Sequence, residues 1–312
     1  MTAQLAVACQ DASTIAFFDA HTHDRVAALA VPPQPHELIY DHDRRLLVCT
    51  HTYRSGHYGE HGESGHEVSL VDPDTHEVVE VLDVGHAPHG VALRENLLFV
   101  GVEATDDQDG GVVVVDLDKR EVLDRVDVRA REPHWIAVTG RKVYTANKDA
   151  RFVTAVDLPS GAVEEIGLPG SEGIAAGGRY VYVATPRFGT AGVDRGVRVV
   201  DSAVDRVVRI LPTRQFPVPV HVTRGGLVLV GELDRRGGGA LSAFREWEPV
   251  ARVEVGRFPL AVTSSPDGAL GYVANLRSGT VSVVDLTAFE VVAEIAVAPE
   301  GTAGPHGLAY VP

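Results

Sequence analysis

Ala87-Pro88-His89-Gly90-Val91-Ala92 returns in this chain as Glu132-Pro133-His134-Trp135-Ile136-Ala137 and again as Gly304-Pro305-His306-Gly307-Leu308-Ala309. A further Pro-His pair stands at Pro35-His36, and weaker copies begin near Ser171-Glu172-Gly173-Ile174 and Phe258-Pro259-Leu260-Ala261. About ten residues after each start comes an apolar run that ends in a small residue, as in Phe99-Val100-Gly101, Tyr144-Thr145-Ala146, Tyr182-Val183-Ala184 and Tyr272-Val273-Ala274. A third run closes on aspartate, in Val113-Val114-Val115-Asp116, Ala155-Val156-Asp157, Val199-Val200-Asp201 and Val283-Val284-Asp285. A fourth follows after a turn, as in Glu121 to Val126 and Glu290 to Ile295. Four short strands in each unit of about 40 to 45 residues mark an all-β, seven-bladed β-propeller with four antiparallel strands per blade.

Six complete blades start near residues 35, 88, 133, 171, 218 and 259, and the seventh is split between the chain ends. Its innermost strand comes from His306 to Val311. Its outer three come from Leu5 to Cys9, Thr14 to Asp19 and Arg25 to Leu29. Closing the ring this way leaves no open sheet edge between first and last blade. All 312 residues are read as one domain.

The formal charge of −15 disfavours nucleic acid and anionic membranes, because both need concentrated Lys and Arg. No run approaches the ~20 apolar residues that span a bilayer, and no Lys or Arg precedes Arg25, so a cytoplasmic protein is expected. Cys9 and Cys49 are the only cysteines and are read as unpaired.

In a propeller the first strand of every blade is innermost, so residues of equal register meet around the channel mouth. Here that ring reads His36, His89, His134, Glu172, a residue of the fifth blade, Leu260 and His306. Ungapped alignment puts Pro219 in the fifth place, with His221 two residues further on and facing the same side. Clustered neutral imidazoles are ligands for a divalent transition metal, with Fe or Cu favoured and Zn a further choice. The candidate ligands are therefore His36, His89, His134, His221, His306 and Glu172. His306 or a nearby carboxylate, Glu103 or Glu232, is the candidate acid or base. His51, Asn147, Asn275 and Arg187, on loops expected above the ring, are candidate contacts to a small-molecule substrate. The His-rich insertion from His51 to His66 is expected to form a lid.

Tyr272-Val273-Ala274-Asn275, Val143-Tyr144-Thr145-Ala146-Asn147 and Ser282-Val283-Val284-Asp285 resemble the YVTN-type seven-bladed propeller family along essentially the whole chain. The Pro-His-Gly segments also resemble those of the streptogramin lyases, which implies elimination with a divalent metal and a His base. The His ring resembles the propeller domain of nitrous oxide reductase, where inner-strand histidines hold copper. Carotenoid-cleaving oxygenases, with iron on four axial histidines of a seven-bladed propeller, offer a third likeness.

Three readings of function remain open at this point. One is a metalloenzyme of oxidoreductase, oxygenase or lyase type. Another is a propeller that binds protein or peptide through aromatic anchors such as Tyr53, Tyr58, Trp135 or Phe188. The last is a metal-free lactone hydrolase built on a His-Glu pair. The oligomeric state is not readable from the sequence.

Overall fold

Residues 2–56, 62–186, 195–234, 236–299 and 304–312 are described in the computed structural model of the chain. Its strands form seven four-stranded antiparallel sheets. Six run consecutively from first to fourth strand, and the seventh has the order Pro305–Val311, Gln4–Cys9, Thr14–Asp19, Arg25–Ala30. The split blade closes as the sequence predicts, with Leu5 opposite Tyr310 and Val7 opposite Leu308.

The second and third strands read as unbroken apolar runs because both faces of every blade are covered. In Gln4–Cys9, Leu5, Val7 and Cys9 pack against the sixth blade while Ala6 and Ala8 pack against the first. The same division recurs around the ring, so each junction between adjacent blades encloses its own apolar cluster. Fourth strands have only one covered face and alternate accordingly, as in Glu77–Asp83. The aspartates that end third strands turn the chain: Asp116 accepts the backbone N–H of Asp118 and Lys119, and Asp285 those of Thr287 and Ala288.

A bulge at the start of the first strand positions the ring. Pro35 lies opposite His51 and Leu38 opposite Cys49, so the inner strand carries one residue more than its partner. The same single-residue excess follows Pro88, Pro133, Pro217, Pro259 and Pro305. Such a bulge re-aims the side chains at it. It also settles the fifth blade, because Pro217 pairs with Glu232 as Pro35 pairs with His51. The fifth ring residue is therefore Val218, neither Pro219 nor His221. Ungapped alignment slips there because Val218 has no chemical likeness to the histidines at the same register.

The expected lid is shorter than its sequence suggests. The second strand of the first blade continues to Tyr53 and the third begins at Ser64, with Tyr53 paired to Ser64. His51 is thus a strand residue, and His57 and His61 lie outside the described residues. Cys9 and Cys49 are both buried and unbonded.

Removing Pro305–Pro312 uncovers the Leu5–Cys9 edge and the two apolar clusters beside it. The truncated chain is expected to lose the cooperative calorimetric transition of the full chain and to elute at larger size than the full chain on size-exclusion chromatography.

Candidate metal centre

Four consecutive blades deliver a histidine to one arc of the ring. His306 and His36 have ring centroids 3.7 Å apart, His36 and His89 4.6 Å, and His89 and His134 4.5 Å. All four are buried, at no more than 6% exposure. Glycines let the blades come this close. A Cβ on Gly90 would stand 2.7 Å from the carbonyl oxygen of His134, and one on Gly307 would collide with that of His36.

Donor atoms of His36, His89 and His134 lie within 4.8 Å of one another, and so do those of His36, Glu37 and His306. Glu37 is the site residue that the ring register misses. It follows His36 directly, and in a regular strand it would point away; at the bulge its Oε1 stands 3.5 Å from Nδ1 of both His36 and His306. The sequence does hold a cue, since the position after the ring residue reads Glu37, Gly90, Trp135, Gly173, Pro219, Ala261 and Gly307. Only there does one blade place a carboxylate.

Glu103 is brought to the ring as well. Its Oε1 accepts the Tyr53 hydroxyl at 2.8 Å and lies 2.6 Å from His89 Nε2. A carboxylate oxygen only accepts, so Nε2 of His89 carries a proton. Burial first, then the charge and hydrogen bond of Glu103, push the Tyr53 phenol far above its usual range, so it stays a donor.

Burial and close contact set the charges along the arc. Burial pushes His36 and His134 well below the usual imidazole range, His36 further by His306 and His134 further by Lys148, so both rings are neutral near pH 7. Burial by itself would raise the Glu37 carboxyl, but its contacts with His306 and His36 outweigh burial and hold it ionised, at about 2. No Lys or Arg pairs with Glu37 among the described residues. Nδ1 of His36, His89 and His306 and Oε1 of Glu37 are buried with no hydrogen-bond partner. Buried polar atoms are nearly always satisfied, and a metal ion held between these donors would satisfy them. Donors on one tetrahedral ion with bonds of about 2.0–2.1 Å sit about 3.3–3.4 Å apart. The 3.5 Å Glu37 separations are already near that span.

Other predicted residues lie elsewhere. Glu172 reaches the ring register buried but is paired with Lys148 at 3.1 Å, outside both donor groups. His221 lies on the channel wall, its Nε2 2.9 Å from Ser264 Oγ. Arg187 lies outside the described residues. His51, Asn147, Glu232 and Asn275 are not rim residues; each is fully buried and ties the second strand to the third. His51 Nε2 meets Ser69 Oγ at 2.8 Å, and Asn147 and Asn275 donate to Thr154 and Ser282 at 2.9 and 2.8 Å. Ser242 donates to Glu232, whose other oxygen accepts the Gln215 N–H at 2.7 Å. In all four the hydroxyl sits diagonally across the strand pair. These are polar latches. Sequence register alone does not separate a strand end that points between blades from one that points up.

No family model matches the sequence, and a search of curated proteins gives no match. Solved structures do match. Hydrazine synthase of Kuenenia stuttgartiensis superposes with a TM-score of 0.73 at 18% identity, over 90% of this chain and 92% of that one. A functionally unknown protein of Desulfotomaculum acetoxidans gives 0.78 at 12% identity over 99% of both chains. The dihydro-heme d1 dehydrogenase NirN, solved in complex with DHE, gives 0.64 at 13% identity, over 95% of this chain and 64% of that one.

The latches give a stability prediction. Burial holds His51 at about 4, and His221 at about 4 for the same reason. The unfolded chain, with imidazoles near 6.5, takes up their protons first as pH falls. Their contribution is therefore complete above pH 6.5 and lost between 6.5 and about 4. For fully buried His51 the shift is on the order of 3 kcal/mol. Melting temperature should fall steeply across this window, and less steeply in His51→Asn than in the parent chain. Asn147→Ala should cost about 1–3 kcal/mol at every pH, because Thr154 and Phe152 lose a buried partner. Likeness to the solved structures, at 12–18% identity, establishes for this chain the fold of a β-propeller.

Proposed function

We propose that this chain is a metal-dependent enzyme acting on a small molecule, with its metal held by His36, His89, His134, His306 and Glu37. The observation that carries the proposal is the convergence of Glu37 with His36, His89, His134 and His306, whose donor atoms fall in two groups each within 4.8 Å, while Nδ1 of His36, His89 and His306 and Oε1 of Glu37 have no hydrogen-bond partner. Two histidines and one carboxylate, as in His36, Glu37 and His306, favour iron(II) and redox chemistry. Copper suits the all-imidazole group, and zinc with a lyase outcome is the alternative. When bound, such an ion supplies Lewis acidity or one-electron chemistry to a substrate at an open coordination position.

The protein's own residues have distinct parts in this reading. Glu103 and Tyr53 fix the tautomer and the plane of His89. Lys148 neutralises Glu172, so that carboxylate is not a competing ligand. Trp135, 4.7 Å from His134, joins Val218, Leu260 and Phe216 in an apolar arc opposite the histidines, which keeps that side of the ring dry. Two of the structural neighbours are by name a synthase and a dehydrogenase, so the scaffold is compatible with catalysis, and the site carries the rest. The strand motifs shared with the YVTN-type propellers fit the same proposal at the level of fold.

A metal-free reading has one observation in its favour, the His89–Glu103 pair at 2.6 Å. The peptide-binding reading has less, since Tyr53 is buried and Tyr58 and Phe188 lie outside the described residues.

Elemental analysis decides among them. Protein purified without chelator, or reconstituted with Fe(II), should hold stoichiometric metal. The His89→Ala/His134→Ala and Glu37→Gln variants should lose it with their circular dichroism intact. Glu103→Gln should bind about 10- to 100-fold more weakly, as loss of a ligand's hydrogen-bond partner does. Protein that stays metal-free after Fe, Cu and Zn reconstitution would overturn the proposal and leave the His89–Glu103 pair as the reactive group.

A further inference from the structure

The ring imidazoles are closed off by their own packing, yet Glu37 lines a cavity of about 360 Å³ that continues down the propeller axis. That volume is within the range of small-molecule sites, ~300–1,000 Å³. Its wall is of two kinds. Ile39, Val91 and Ile174 form an apolar side, whereas Thr263, Ser264 and His221 form a polar one. His221 is kept neutral by burial and can both donate and accept.

The two ends differ in charge. Among the described residues Glu37 is the only acidic side chain on the cavity wall, and it stands at the ring end. Arg224 stands at the other end, just after the first strand of the fifth blade, Phe216–Val222. It is exposed, and no acid pairs with it among the described residues. In a chain of net charge −15 an unneutralised guanidinium at a channel mouth selects for anions. Pro219 shares the register of Glu37, so five residues separate the two ends along the fifth blade, about 16 Å at ~3.3 Å per residue.

We propose that the central channel is the substrate tunnel, entered from the face opposite the histidine ring, and that it takes a slim amphipathic anion. Its charged head rests on Arg224, its chain lies along Val91 and Ile174, and its far end meets Glu37. Entry from beneath replaces entry under the His51–His66 segment. The assignment of the far end as the reacting end rests on the metal reading above, whereas the tunnel itself does not.

Dodecanoate is the probe, since extended it spans the distance from Arg224 to Glu37. Titration calorimetry is run below its micelle concentration, on both metal-loaded and chelator-treated full-length chain. One molecule should bind per chain in both states, while dodecyltrimethylammonium should not bind. Arg224→Glu, a surface change, should weaken dodecanoate about tenfold or more, and Val91→Trp should abolish binding by filling the tunnel. Arg224→Glu keeps the test decisive if Val91→Trp fails to fold. Absence of dodecanoate binding, or binding of equal strength in Arg224→Glu, would overturn the tunnel. Binding to a chain that takes up no metal would overturn the metal reading and leave the tunnel standing.

Discussion

Seven sheets packed around one axis bring the innermost strands within side-chain reach of one another, and every feature of the candidate site follows from that crowding. The blades are held apart only by the thickness of their shared apolar clusters, so positions of equal register converge at the mouth. At such a mouth a bulky residue in every blade would not fit. The chain answers with glycine beside the ring histidine in the second and seventh blades, and with a bulge that turns the strand starts of six blades toward the axis. The space this leaves beside His36 and His306 is where the Glu37 carboxylate lies.

The ring is also asymmetric, and the asymmetry has chemical content. Four imidazoles occupy the arc from the seventh blade to the third, and Val218 and Leu260 occupy the fifth and sixth. A wholly polar ring would draw water and dilute every charge interaction in it. An apolar arc facing the donors lowers the local dielectric, so the Glu37 charge acts on its neighbours more strongly than it would in water. Low dielectric is also what makes that charge expensive to leave alone. The Glu37 oxygen and the ring nitrogens of His36 and His306 within 4.8 Å of it therefore share one environment.

The fold was legible because repetition was legible. Pro-His starts, small-residue strand ends and closing aspartates recur with the blade period, and the same pattern assembles the split seventh blade from both termini. Ring register was legible for His36, His89, His134, Glu172 and His306 for the same reason. It failed at Val218, where the blade keeps the bulge but not the chemistry, and His221 was promoted in its place. Glu37 was invisible because strand alternation sends it away from the channel, and only the bulge reverses that. Glu172 reads as a ligand by position; its Lys148 partner, twenty-four residues away, is a fact of three dimensions.

His51 and His36 show why residue type is a poor guide to role in this architecture. Both are buried and neutral, both lie in the first blade, and they lie opposite neighbouring positions of one ladder. His51 sits on a second strand whose two faces are covered by blades, so its nitrogen is absorbed by Ser69 and its proton affinity is spent on holding two strands together. His36 sits on the innermost strand, where one side has no further strand to bond, and its Nδ1 has no hydrogen-bond partner, with Glu37 3.5 Å away. Distance from the axis thus decides which polar groups become latches and which remain available for chemistry. By that criterion Asn147, Glu232 and Asn275 belong with His51, whereas Glu103 does not: it lies one residue past the paired register, where the chain has left the sheet and can reach inward to His89.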